Sequence, residues 1–143
     1  MKKLLGLGFA MLVLVSCSGD DDSSSAGGVN MDHLVKKWYP VSTTINGHTI
    51  PYDDHEECGN DYIEFTEGGV FKEVDIWDCE AWEETGTYVV DGNTITTTVD
   101  DLVEVAEVKS LSATKLVVET EVPADEEFGT PAMTVKLTLQ SSL

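Results

Sequence analysis

From Trp38 to Gln140 apolar and polar residues alternate in short runs that stop at turn-forming residues, the period-two pattern of strands buried on one face. The clearest run is Ala132 to Gln140. There Met133, Val135, Leu137 and Leu139 share one face, and Thr134, Lys136, Thr138 and Gln140 share the other. Lys115 to Val122 repeats the logic, with Leu116, Val118 and Val122 opposite Lys115, Glu119 and Glu121. The same criterion predicts strands at Trp38–Ile45, His48–Pro51, Asp61–Thr66, Val70–Ile76, Thr85–Val90, Thr94–Val99 and Val103–Ser110. Before them, Asp32-His33-Leu34-Val35 is long enough for one helical turn, and no long helical period follows.

The connections between these runs are short. Asn46-Gly47, Gly68-Gly69, Asp91-Gly92-Asn93, Asp100-Asp101 and Ser112-Ala113-Thr114 all offer residues that tolerate tight or left-handed backbone, so consecutive strands become antiparallel neighbours. An open sheet of that length would expose two edges. Closure removes them, which predicts an all-β fold: a small antiparallel up-and-down barrel of about eight strands with a short N-terminal helical turn. A two-sheet sandwich is the alternative. A barrel of about eight strands either fills with side chains or holds one small ligand. The inward candidates, mostly Val, Ile, Leu and Thr, leave room for a modest apolar cavity and place no cation inside it.

Residues 1–16 follow a different rule. Lys2 and Lys3 precede an apolar run from Leu4 to Val15, too short to span a bilayer as a helix but matched to a signal peptide. Leu14-Val15-Ser16-Cys17 resembles a lipobox, which implies lipidation of Cys17 and a membrane partner through that anchor. Acyl chains contribute about 0.8 kcal/mol per buried methylene, so more than one chain holds a protein stably on a membrane. Residues 17–30, rich in Ser, Gly and Asp, form a solvated tether, and the folded domain occupies 31–143. Ser18-Gly19-Asp20-Asp21-Asp22 is similar to the export signal of surface lipoproteins in Bacteroidetes-type bacteria, and is equally explained as a charged spacer. The expected location is the outer membrane, lipid-anchored and open to surface exposure.

Without the presequence the chain holds six lysines, no arginine and 27 acidic residues, a net charge of −21. Such a surface repels phosphate backbones, so nucleic acid is excluded as a partner. With Cys17 lipidated, Cys58 and Cys79 remain, and in an exported protein such a pair normally forms a disulfide. Strand register agrees. A two-residue Gly68-Gly69 turn sets Glu67 opposite Val70 and, counted outward, Cys58 opposite Cys79; a three-residue turn shifts this by one, still within bridging reach. Two reactive thiols or metal ligands are the alternative.

Several stretches in this order resemble the lipocalin-like domain of Bacteroidetes lipoproteins: Leu34-Val35-Lys36-Lys37-Trp38, Tyr62-Ile63-Glu64-Phe65 with Gly68-Gly69-Val70-Phe71, Gly86 to Ile95, and Val108 to Ser112 leading to Leu116-Val117-Val118. The resemblance covers Met31 to Leu143. It implies a calycin-like antiparallel barrel in which Trp38 closes one end, a structural role. Lys36 stands where lipocalins carry a glycine two residues before that tryptophan, and this departure weakens an inference of lipocalin-type transport.

Asp53-Asp54-His55-Glu56-Glu57, with Asn60 and Asp61 beyond Cys58, is the densest group of potential metal ligands, with carboxylates suited to calcium and His55 to a transition metal, although the spacing fits no calcium-loop motif. Solvated loop charges explain the same run. His48, seven residues earlier, approaches it only if the chain folds back. No nucleophile elbow, phosphate loop or zinc-type histidine pair is present, so the domain is expected to be non-enzymatic and to need no cofactor. Acid pairs such as Asp75 with Asp78, or Glu83 with Glu84, lack any sign of the different environments that acid–base work requires. Trp77 and Trp82 flank Cys79 among acids, and Phe128 sits in the long segment from Pro123 to Pro131. The two indoles either form a recognition surface or cover an open barrel end and shield the disulfide. The expectation is a small apolar ligand at the barrel mouth near Trp77, Trp82 and Phe128. The alternative is a packed interaction domain that recognises an envelope protein or glycan.

Overall fold

The computed structural model describes residues 28–124, 129 and 131–143; the presequence, Cys17 and Phe128 lie outside them. A helical turn, α1 (Met31–Leu34), leads into nine strands: β1 (Lys37–Ile45), β2 (His48–Pro51), β3 (Tyr62–Phe65), β4 (Val70–Trp77), β5 (Glu80–Asp91), β6 (Thr94–Val99), β7 (Leu102–Leu111), β8 (Lys115–Val122) and β9 (Met133–Gln140). Each pairs antiparallel with the next, apart from β2, and β1 pairs with β9 to close an eight-strand barrel. β1 serves three neighbours. Lys37 and Trp38 pair with β3, Ser42 to Ile45 pair with β2, and Tyr39 to Ile45 pair with β9 around a bulge at Val41. The strand β2 therefore lies outside the ring.

The turns carry the left-handed backbone their residues predict: φ is 49° and 86° at Asn46-Gly47 and 46° and 70° at Asp100-Asp101. Gly68 and Gly69 are also left-handed, but Thr66 N–H bonds the Val70 carbonyl at 2.9 Å, so the loop has three residues and Phe65 faces Phe71. That is the one-residue shift allowed for above. A larger difference lies at β5, which begins at Glu80 rather than Thr85. Trp77 and Trp82 therefore stand on strands, paired with Glu80 and Asp75, and the turn between them is only Asp78-Cys79, with φ of 53° and 61°.

One end of the barrel is filled. Leu34, Trp38, Phe65, Phe71, Tyr88, Ile95, Leu116 and Leu139 form a single buried cluster, with Leu34 of α1 as its plug. Trp38 is fully buried, and its indole N–H donates to the Leu34 carbonyl at 2.9 Å, so the tryptophan holds the plug in place without an unmet donor. Asn30 caps the turn by accepting the Asp32 N–H at 2.9 Å. Phe65 packs edge-on to Tyr88 at 5.0 Å and against Phe71 at 5.4 Å. Tyr88 keeps its hydroxyl satisfied by donating to the Thr66 carbonyl at 2.8 Å.

Candidate functional site

The other end is built by the unequal lengths of the strands. β5 pairs with β6 only from Thr87 onward, whereas it pairs with β4 from Glu80 to Thr87. The β4–β5 hairpin thus runs about 20 Å past the point where β6 ends, six residues at the usual strand rise. Gly86 marks the departure. A Cβ there would collide with the Thr98 carbonyl oxygen, so only glycine permits this approach of β5 to β6.

A loop braces the projecting hairpin from outside. Cys58 and Cys79 form the disulfide, with Cα atoms 5.7 Å apart, and Gly59 lies against Ile76. Glu56 accepts the backbone N–H groups of Asp78 and Cys79 at 2.8 and 2.9 Å, capping the left-handed turn with a carboxylate. His55 Nδ1 accepts the Asp61 N–H at 3.1 Å, so Nε2 carries the proton and donates to the Pro40 carbonyl at 2.9 Å. Asp61 is buried; it accepts from Ile76 N–H at 2.7 Å and from the Tyr52 hydroxyl at 2.6 Å. Burial first, then that hydrogen bond and the neighbouring carboxylates, push the Tyr52 phenol well above its ordinary pKa, so it remains a neutral donor.

These bonds bear on the metal candidates. Both ring nitrogens of His55 and both carboxylate oxygens of Glu56 are already used by the fold, while Asp53 and Asp54 are exposed. The nearest grouping of potential ligand atoms among the described residues is Glu56 with Cys58 and Cys79, whose sulfurs are joined to each other.

The inner face of the mouth follows from register. Phe71 points into the core, so Glu73, Asp75 and Trp77 follow it on the same side of β4. On β5, Trp82 and Glu84 oppose Asp75 and Glu73; on β7, Glu104 is on the face of Ala106 and Val108. All of Glu73, Asp75, Trp77, Trp82, Glu84 and Glu104 are exposed, so solvent enters the upper half of the barrel. Glu73 feels this position most. Partial desolvation of its carboxylate by the surrounding wall, followed by the charges of Asp75, Glu104 and Glu84, raises its pKa above the ordinary carboxylate value even though the residue remains open to solvent. Glu104 lies three strands away on β7, on the inward-facing side of its strand.

Trp77 and Trp82 are 74% and 62% exposed, the opposite of two indoles buried to shield a disulfide. They share a cleft of about 550 Å³ with Tyr52, Asp54, Glu56, Asp61, Asp75 and Ile76. The cleft opens where β3 ends and the loop takes its place beside β4. A depression of about 590 Å³ lies at the helix end between Met31, Glu67 and Tyr88, but no exposed aromatic ring lines it. Sequence reasoning missed Tyr52, Glu73 and Glu104 as mouth residues; it counted Asp61 among the candidate metal ligands and Glu84 among the acids around the two tryptophans. The signal was available for Glu73, two positions beyond Phe71 on an alternating strand. Phe128 falls outside the described residues.

A closed eight-strand antiparallel barrel plugged by an N-terminal turn can be compared directly with known proteins. The model of the lipocalin-like domain matches residues 34–118. The chain belongs to that lipocalin-like family. A lipocalin-like protein from Bacteroides uniformis superimposes with a TM-score of 0.56 at 16% identity, covering 76% of this chain and 97% of the other. An uncharacterized protein from Bacteroides eggerthii gives 0.54 at 14% identity, covering 75% and 98%. At these identities the likeness of the lipocalin-like barrel to both is one of fold. No curated protein matches the chain.

Proposed function

We propose that this chain is a lipid-anchored, non-enzymatic envelope lipoprotein whose lipocalin-like barrel takes a small molecule with an apolar body at its mouth. The observation that carries the binding site is the pair of indoles, exposed in the cleft at a disulfide-braced hairpin that projects from the barrel mouth. Large apolar rings held in water by a rigid scaffold are more readily explained by a partner than by folding. The lipobox-like Leu14 to Cys17 supports the anchor, and the acidic tether supports a location at the outer membrane with the barrel held off the lipid.

Native mass spectrometry of the protein released gently from bacterial membranes tests the binding. A reproducible added mass that is lost on organic extraction, and absent from a Trp77→Ala/Trp82→Ala variant, is the expected result. A clean apo mass with no uptake from a lipid and metabolite extract would transfer the function to the outer surface, against an envelope protein or glycan. For the anchor, a Cys17→Ala variant should lose its acyl mass and leave the membrane fraction. Retention of both would end the lipoprotein assignment.

A further inference from the structure

The charge of the mouth specifies its ligand more narrowly than its apolar rings do. Asp54 and Asp75 line the indole cleft, and Glu73, Glu84 and Glu104 continue the same sign into the lumen. Among the described residues, no lysine answers them from inside. Lys72 is paired with Glu83 on the outer face at 2.9 Å, Lys109 and Lys136 meet Glu119 on the outside of β8, Lys37 lies over the outward Tyr62 ring at 4.0 Å, and Lys36 is at the helix end on the Ala113 carbonyl. Lys115 precedes the inward Leu116 and so faces out. Every positive charge in this part of the molecule is on the outer wall or at the plugged end.

We infer that the mouth selects an amphiphile with a cationic head, an alkylammonium-type ligand whose apolar body lies against Trp77 and Trp82 while its charged nitrogen meets Asp75 and Asp54. Indole faces attract cations through the ring quadrupole, and the two carboxylates that line the cleft supply the net charge that the rings lack. The cleft has the right composition for both ends of such a molecule. Its volume of about 550 Å³ falls within the range of small-molecule sites. An anionic ligand such as a fatty acid would carry its carboxylate into a field of like charges. The alkyl body and the ammonium head are read at adjacent places, so neither end alone should give the full affinity.

This inference rests on the mouth being the binding site, and the experiment separates the two. The purified protein is titrated with octyltrimethylammonium, 1-octanol and octanoate, following tryptophan fluorescence at low and high salt. The cation should bind at least about tenfold more tightly than octanol, octanoate more weakly than either, and the preference should shrink at high salt through screening. An Asp54→Asn/Asp75→Asn variant should bring the cation to the affinity of octanol, whereas Glu67→Gln, at the opposite end, should leave all three unchanged. Saturable binding of octanol as tight as that of the cation would overturn the charge selection and keep the mouth as a site. Failure of every probe to bind would overturn both. A cation preference that survives Asp54→Asn/Asp75→Asn would assign it to the general acidity of the protein and overturn the site.

Discussion

At the helix end the inward side chains are Leu34, Trp38, Phe65, Phe71 and Leu139, all buried, whereas at the mouth strands β4, β5 and β7 send Glu73, Asp75, Trp82, Glu84 and Glu104 inward, all exposed. Register is continuous between the two: Phe71, Glu73 and Asp75 are successive inward positions of β4. The alternation therefore sets which side chains face the axis, and strand length decides what they meet there. At the helix end, all eight strands of the ring are present and α1 caps them. Toward the mouth β6 stops at Val99 and β3 starts only at Tyr62, so the β4–β5 hairpin stands with water on its inner face. The energy of the fold is concentrated at one end, and the chemistry at the other.

Removing the plug should break this division most severely. Trp38→Ala takes a fully buried ring and a satisfied indole bond out of the core, and about 3–5 kcal/mol of stability should be lost in denaturant unfolding. Cys58→Ser comes next. It opens a loop closed over a sequence separation of 21 residues and should cost about 2–4 kcal/mol relative to a wild type verified as oxidised. The mouth should respond with the opposite sign. The pKa of Glu73 is raised on folding, so its ionised form opposes folding: the native state is favoured below the unfolded value of 4.5, and that advantage is lost as pH rises through the folded pKa. Glu73→Gln should therefore raise the melting temperature at neutral pH and change it little near pH ~3, where the carboxyl is protonated in both states. Thermal melts across that interval check the sign. Smallest of all, Trp82→Ala should shift stability by no more than about 0.5 kcal/mol, because the ring it removes is 62% exposed. Equal losses from Trp38→Ala and Trp82→Ala would erase the distinction between the two ends.

Much of the helix end was legible in the sequence because its determinants are local. Gly68-Gly69 and Asp91-Gly92-Asn93 announce their turns, the strands from Thr94 to Val99 and Lys115 to Val122 have the predicted bounds, and Trp38 follows closely on the turn that it anchors. The mouth was less legible because its determinants are distant. Asp78-Cys79 carries no glycine or asparagine; its left-handed backbone is capped by Glu56 and tied to Cys58, more than twenty residues away. The segment around it consequently looked like a loop, and β5 was cut short. The carboxylates inside the barrel were missed for a related reason. Apolar alternation marks a buried face, and where β4 continues past Phe71 its inward positions are no longer apolar. His55 and Glu56 illustrate the same point: the acid-rich run suggested ligands, and the structure uses these two side chains as hydrogen-bonding braces.

The three tryptophans provide one measurement that addresses both ends together. In an NMR titration of the isotopically labelled protein with octyltrimethylammonium, the indole N–H signals of Trp77 and Trp82, assigned by single substitution, should shift along a common saturable curve. That of Trp38, bonded to the Leu34 carbonyl inside the core, should stay in place and exchange slowly. Unmoved Trp77 and Trp82 signals at saturating probe, or a Trp38 signal that shifts with them, would contradict a barrel that is closed at the helix end and receptive at the mouth.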